Sequence, residues 1–314
     1  MGYIKFGVLY SAMDEYIGPV EFARKAEEWG YNSYWVPDYV THPPMDAFVL
    51  LAAVAQHTTT LKLGTAVVAV SFRSPFQLAK AALSVDVLSN GRLILGVGTG
   101  VVSRDFEVTQ TDFHQRGRIT DERLQILRRL FSEENVTHQG RYHQFSGLTM
   151  EPRPVHPSHT GRTGIPIWVA AVWRNGIAQG ALKRIARYGD GFLPTDTSPE
   201  EYRKARESIR QYAISYGRDP EHMEWGMLFW TCLGAGKEEA QERAKAEIER
   251  RTGVPWNVEP DNGYVLGTPA ECIETIERYL ELGITHLVFD IVCEAPEILS
   301  QHEVFAKEVI PHFR

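Results

Sequence analysis

The chain has 314 residues, 43% apolar and 23% charged, with a net charge of −7 at neutral pH. Those values exclude a disordered or low-complexity chain, and a chain this long buries enough apolar surface to need no disulfide or metal staple. The acidic balance argues against nucleic acid and anionic membrane as partners, since both call for basic surface, and leaves small-molecule chemistry open.

The N-terminus runs directly into a strand-like apolar segment, residues 4–10, without the charged lead-in, apolar core and cleavage site of a signal peptide. No stretch is apolar for long enough to span a bilayer, so the expected location is the cytoplasm. Seven further strand-like runs follow, at residues 33–36, 61–67, 93–98, 165–170, 191–194, 224–233 and 285–291. Most are apolar on successive positions, the pattern of strands covered on both faces.

Between them lie helical stripes such as Leu124, Leu127 and Phe131, or Tyr202, Ala205, Ile209, Tyr212 and Tyr216. Ser74-Pro75-Phe76-Gln77, Ser198-Pro199-Glu200-Glu201 and Thr268-Pro269-Ala270-Glu271 predict helix starts. In each, a hydroxyl caps a free N–H and the Gln or Glu reaches back. Gly30, Gly91, Gly189, Gly217 and Gly283 predict left-handed helix ends.

Strand, helix, glycine, strand repeats throughout, which favours a closed (β/α)8 barrel of the α/β class in one domain, residues 1–314; an open doubly wound sheet is the alternative. The rhythm breaks twice. Residues 135–164 are rich in Pro, Gly and His and read as an insertion after the fourth helix, with a hairpin over 136–145 and a Pro-rich return. Residues 251–267 read as irregular. Cys232, Cys272 and Cys293 lie far apart in sequence without a C-x-x-C pair, which predicts reduced thiols and no zinc site.

In a parallel barrel, ligands sit at the carboxyl ends of the strands. The candidates there are Tyr10, Asp38-Tyr39, Ala66-Val67, Gly98-Thr99-Gly100, Ala170-Ala171, Thr195-Asp196 and Phe289-Asp290. The run Gly96-Val97-Gly98-Thr99-Gly100 lacks the spacing, the following helix and the leading position of a dinucleotide fingerprint. Its glycines either relieve crowding inside the barrel or let backbone approach a flat ring, and their strand-end position favours the second.

Asn175-Gly176 opens a helix after the fifth strand with Arg174 beside it. Its free N–H groups suit a phosphate, and a plain helix start is the alternative. Asp38 and Tyr39 place a carboxylate and a phenol where they can orient a ring edge or pass a proton, or where the carboxylate simply caps the next helix. Asp190 reads as a turn residue. The eleven histidines show no pair at metal-ligand spacing, and His138, His143, His156 and His159 read as surface residues, so no metal is expected. No G-x-S-x-G elbow is present. Trp225 and Trp230 read as core, with a wall of a substrate cavity as the alternative.

Several runs together resemble the luciferase-like monooxygenase family. They are Glu27-Glu28-Trp29-Gly30-Tyr31-Asn32-Ser33-Tyr34-Trp35-Val36-Pro37-Asp38, Leu63-Gly64-Thr65-Ala66-Val67 and the stretch from Ser89-Asn90-Gly91-Arg92 to Gly98-Thr99-Gly100. Arg116-Gly117 with Asp121-Glu122, Glu151-Pro152-Arg153-Pro154, Ile165-Pro166-Ile167-Trp168-Val169, Ala186-Arg187-Tyr188-Gly189-Asp190-Gly191-Phe192 and Leu266-Gly267-Thr268-Pro269 continue the match, in order, over essentially the whole chain.

The resemblance implies a flavin or the deazaflavin coenzyme F-420 at the carboxyl ends of the strands. The stretch Gly64-Thr65-Ala66-Val67 would lie behind the ring, with a cis peptide at Ala66-Val67 in the deazaflavin branch. Gly98 and Thr99 would flank the ring, and Ala170, Ala171, Arg174, Asn175 and Gly176 would hold the phosphate. Asp38 and Tyr39 are the catalytic candidates.

The resemblance favours F-420-dependent hydride transfer with a small organic substrate. An FMN-dependent monooxygenase fed by a separate flavin reductase is one alternative, and a non-catalytic flavin-binding protein another. It also implies a homodimer. The chain departs from the deazaflavin dehydrogenase pattern at two places: Tyr39 stands where a His is found and Val101 where a Glu is found. Both departures argue against a sugar phosphate as substrate.

Overall fold

The computed structural model describes residues 4–11, 17–43, 45–155, 164–171, 178–252, 255–256 and 262–314. Its strands are β1 (Lys5–Leu9), β2 (Ser33–Val36), β3 (Lys62–Thr65), β4 (Val68–Ala69), β5 (Leu93–Gly98), β6 (Val136–Gln139), β7 (Gln144–Leu148), β8 (Ile167–Val169), β9 (Gly191–Phe192), β10 (Glu224–Leu233), β11 (Tyr264–Gly267) and β12 (His286–Ile291). Its helices are α1 (Pro19–Glu28), α2 (Ala47–Ala55), α3 (Pro75–Leu88), α4 (Ser103–Val108), α5 (Arg116–Ser132), α6 (Gln179–Tyr188), α7 (Pro199–Ser215), α8 (Lys237–Thr252), α9 (Pro269–Leu280) and α10 (Ala295–Val304).

Eight strands close on themselves in the order β1-β2-β3-β5-β8-β9-β10-β12, and β12 returns to β1 with Val8 opposite Phe289. Every pair in the ring is parallel. The expected barrel is therefore present, and each of the eight expected strand runs supplies one of its strands.

Three local expectations are corrected. Residues 251–267 are not wholly irregular, because β11 adds parallel to the far end of β10 with Trp230 opposite Tyr264. Ser198 and Thr268 form the expected capping boxes with Glu201 and Glu271, but the Ser74 side chain caps nothing. Gly189 is extended at φ −78°, whereas Gly30 and Gly217 take the positive φ expected of helix-ending glycines. An antiparallel hairpin of β6 and β7 follows α5 where one was expected.

Strand alternation sorts the core into two layers. One set packs outward under the helices. The other fills the lumen: Leu9, Trp35, Ile94, Trp168, Leu193 and Val288. Burial of large side chains such as these stabilises the fold by on the order of 2–3 kcal/mol each. Below them, Trp35 Nε1 donates to Ser33 Oγ at 2.7 Å, and that hydroxyl meets His286 Nε2 at 2.7 Å, which plugs the amino-terminal end.

Two further expectations change here. Asp190 does more than turn the chain between α6 and β9: its fully buried carboxylate accepts from Ile167 N at 2.8 Å and lies 2.5 Å from Arg128 and 3.8 Å from Arg218. His138 and His143 are not on the surface. They tuck against Glu122 at 3.5 and 3.6 Å, and Glu122 also accepts the backbone N–H groups of Arg141, Tyr142 and His143.

Candidate active site

The strand residues one step beyond the lumen layer form the mouth. Following the alternation from Leu9, Ile94, Trp168, Leu193 and Val288, they are Ser11, Gly96 and Gly98, Ala170, Thr195 and Asp290, and Trp230 follows Leu228 on β10 in the same way. Gly98, Ala170, Thr195 and Asp290 are thus brought to one opening, whereas the candidates Tyr10 and Phe289 alternate to the outer layer, fully buried against Phe22 and Tyr34 and against Phe305.

On one side β3 ends in the cis peptide Ala66-Val67, and Ala66 N donates to Val36 O at 2.7 Å. The expectation of a cis bond at this position is met. The glycines opposite also make room within the protein. A Cβ on Gly96 would stand 1.8 Å from the Thr65 carbonyl oxygen, and Thr65 Oγ1 donates to Gly96 O at 2.7 Å. Gly96 therefore relieves crowding between two strands. A Cβ on Gly98 would meet Val67 Cγ2 at 2.9 Å, so this glycine makes room for the Val67 side chain. Beyond it, Ser71 Oγ donates to Thr99 O at 2.9 Å and ties the two loops together. Gly64 also leaves space, for the Trp35 ring, which a Cβ would approach to 2.1 Å.

The β2 end carries Asp38 and Tyr39. Arg73 donates to both Asp38 oxygens, from Nε at 3.0 Å and Nη2 at 2.6 Å, and its Nη2 reaches Asp46 at 2.7 Å. Asp46 in turn caps α2 through the N–H groups of Phe48 and Val49. Burial pushes the Asp38 carboxyl up and Arg73 opposes that shift. Arg123 on α5 holds the Arg73 loop by donating to the carbonyls of Val70, Ser71 and Arg73.

Asp105 on α4 fastens the next stretch, accepting from Val40 N at 3.3 Å, Thr41 N at 3.1 Å and Thr41 Oγ1 at 2.6 Å. Tyr39 stays 43% exposed. The partial burial of its ring raises the phenol, the Asp290 and Asp105 carboxylates raise it further, and Arg251 pulls it down. Val101 is 72% exposed.

The far side of the mouth is polar and aromatic. Ser11 Oγ donates to Asp290 Oδ1 at 2.6 Å, and Arg251 Nη1 reaches the same oxygen at 3.3 Å. Arg251 also donates to Glu247 at 2.7 Å and to Ile291 O at 3.0 Å. Burial pushes the Asp290 carboxyl up. Trp230, in register with Asp290, donates from Nε1 to Asp196 Oδ1 at 2.9 Å and lies across from the Trp256 ring at 6.2 Å. Trp230 is thus a mouth residue, whereas Trp225 packs on Phe192 and under Arg206 at the other end of β10.

Arg73, Asp105, Arg123 and Arg251 escaped the sequence reading. Each sits on a loop or helix whose local pattern carries no sign of its partner across the barrel. Arg174, Asn175 and Gly176 lie outside the described residues. Ala170 and Ala171 are placed at the end of β8, where Ala170 N donates to Val97 O and Ala171 O accepts from Thr195 N.

The mouth fits a flat heteroaromatic group. Ala66, Val67, Gly98 and Ala170 give an uncharged wall of small side chains, and Thr195 Oγ1 on the neighbouring side is buried without a hydrogen-bond partner among the described residues.

Comparison with known proteins agrees with this geometry. The model of the luciferase-like monooxygenase family matches residues 12–286. An F-420-dependent glucose-6-phosphate dehydrogenase of Amycolatopsis mediterranei (strain U-32) is 29% identical, over 97% of this chain and 98% of the relative. The solved structure of an F-420-dependent secondary alcohol dehydrogenase in complex with an F-420–acetone adduct superposes with a TM-score of 0.82 at 21% identity, covering 99% of each chain. The monooxygenase RslO1 from Streptomyces bottropensis gives 0.81 at 22% identity, covering 99% of this chain and all of that one.

Proposed function

The chain belongs to the luciferase-like monooxygenase family, and on that premise we propose that it is an oxidoreductase moving hydride between coenzyme F-420 and a small neutral organic substrate. The uncharged wall of Ala66, Val67, Gly98 and Ala170 facing the polar side of Asp290, Ser11 and Thr195 carries this reading. F-420-dependent relatives over nearly the full chain support it. Gly64, Thr65, Ala66 and Val67 would back the ring, Gly98 and Thr99 would flank it, and Ala170, Ala171, Arg174, Asn175 and Gly176 would take the phosphate end. When bound, the deazaflavin supplies a hydride carrier that reacts poorly with oxygen.

The chain's own residues orient and enclose. Asp38 holds Arg73 and so fixes the loop that walls the site, which makes it a positioning residue. Tyr39 presents a neutral phenol, a hydrogen-bond donor rather than a base, since its ordinary pKa is about 10 and the site raises it. Among the described residues, the mouth cations Arg73 and Arg251 are both held by carboxylates, which disfavours a sugar phosphate.

Two coarser features belong to the same proposal. An apolar face of α2 and α3, with Val49, Val87 and Leu88 exposed, supports a homodimer. Three buried free thiols support the reducing conditions of the cytoplasm. Side-by-side fluorescence titrations with F-420 and FMN test the function: tight F-420 binding is expected. FMN binding alone, with oxygen uptake on FMNH₂ from a flavin reductase, would replace this reading by the monooxygenase one.

A further inference from the structure

Resting on the hydride-transfer reading, we propose that Asp290 is the catalytic residue that exchanges the proton with the substrate oxygen, in place of the His and Glu whose positions hold Tyr39 and Val101. Asp290 stands above Val288 at the carboxyl end of β12, facing the mouth with 6% of its side-chain surface exposed. Ser11 and Arg251 both meet Oδ1, and Oδ2 has no hydrogen bond among the described residues.

That asymmetry is informative. Of the other carboxylates at the mouth, Asp38 meets Arg73 with both oxygens. Asp105 likewise uses both oxygens, on Val40 and Thr41. Asp290 keeps one oxygen toward the opening. Arg251 is shared with Glu247 and the Ile291 carbonyl, so it steadies Asp290 without claiming it. Burial raises the Asp290 carboxyl above its ordinary value, with Arg251 and Ser11 opposing the shift.

Trp230 in register beside it, with Leu228 below, adds an apolar strip to this polar side and suits the carbon skeleton of a neutral secondary alcohol or its ketone. Oxidation then balances. The substrate O–H bond breaks and its proton goes to Asp290 Oδ2. The C–H bond breaks with its electron pair, which leaves as hydride to oxidised F-420. The pair left on oxygen becomes the second C–O bond. Ketone reduction runs the same transfers backward, with protonated Asp290 as the donor.

The test uses the full chain, F-420, and 1-phenylethanol, cyclohexanol and propan-2-ol as probes. Wild type is expected to reduce F-420 with at least one alcohol. Asp290→Asn should bind F-420 with wild-type affinity and lose roughly 10²- to 10⁴-fold in kcat. In cofactor-free protein the same substitution should lower the Tyr39 phenolate titration, because a neighbouring negative charge is gone. Ser11→Ala removes a hydrogen bond to the ionised carboxylate and should move the acid limb of kcat/KM to higher pH. That arm decides the matter where Asp290→Asn does not fold.

Asp290→Asn turnover within roughly threefold of wild type, or an unmoved acid limb in Ser11→Ala, overturns the inference. So does a wild type that binds F-420 yet reduces it with none of the alcohols. A wild type that does not bind F-420 at all brings down the hydride-transfer reading instead, and this inference with it.

Discussion

Arg73 and Asp38 are joined by two parallel hydrogen bonds, at 3.0 and 2.6 Å, although 35 residues separate them in sequence. The pair bridges the end of β2 to the loop after β4, and the Arg73 Nη2 continues to Asp46 at the start of α2. One guanidinium thereby ties the loop after β4 to both ends of the connection between β2 and α2.

A guanidinium fork makes both bonds at once and an ammonium does not. Arg73→Lys should therefore keep the charge and lose the geometry. We expect a stability loss of about 1–3 kcal/mol, since Arg73 is only half-buried, together with weaker F-420 binding. Thermal unfolding and a cofactor titration on the same preparation check it. An unchanged affinity would show that this loop does not shape the cofactor wall.

The glycines of β5 make a sharper comparison. A Cβ on Gly96 would sit 1.8 Å from a backbone carbonyl oxygen, and one on Gly98 would sit 2.9 Å from the end of the Val67 side chain. Backbone cannot yield cheaply, whereas a side chain can turn. Gly96→Ala should cost more than about 3 kcal/mol or prevent folding. Gly98→Ala should fold, and it should weaken F-420 binding by displacing Val67 toward the ring. Equal unfolding midpoints for the two variants would contradict this account.

The barrel was legible because parallel strands covered on both faces leave short apolar runs, and because Glu201 and Glu271 stand three residues after their hydroxyl caps. β11 was not, since four residues added to the far end of β10 carry no period of their own. Asp38 and Asp290 were visible as strand-end residues. Their partners were not, because Arg73, Asp105 and Arg251 are brought close by barrel closure rather than by any local pattern. Gly96 and Gly98 were recognised as a close approach, but that Thr65 and Val67 are their neighbours within the protein is revealed only by the register of β3 and β5.

Asp190 supplies a control at the opposite end of the barrel. Its buried carboxylate faces Arg128 and Arg218 at the start of β9, and burial pushes Arg218 down to about 10. Asp190→Asn leaves two buried guanidiniums without their counter-charge and should cost about 3–5 kcal/mol. Because the residue lies far from the mouth, F-420 affinity of the folded fraction should stay at the wild-type value. A binding defect without a stability defect would place a functional role at the wrong end of the molecule.

Acid stability follows from two imidazoles. His302 is fully buried against Phe22, their ring centroids 5.1 Å apart, with neither ring nitrogen bonded among the described residues; His286 is fully buried below the lumen. Burial pushes both from 6.5 down to about 3. Between those values the unfolded chain binds protons that the folded chain refuses, so stability is complete above pH 6.5 and falls as pH drops toward 3. Each imidazole contributes a slope approaching about 1.4 kcal/mol per pH unit in that window. His302→Phe removes one of the two and keeps a ring in the cavity. Denaturant titrations at stepped pH should show the variant losing stability more slowly than wild type on acidification, by up to that slope, while the carboxylate contributions cancel in the comparison. Parallel pH profiles for the two proteins would mean that His302 is protonated in the folded state.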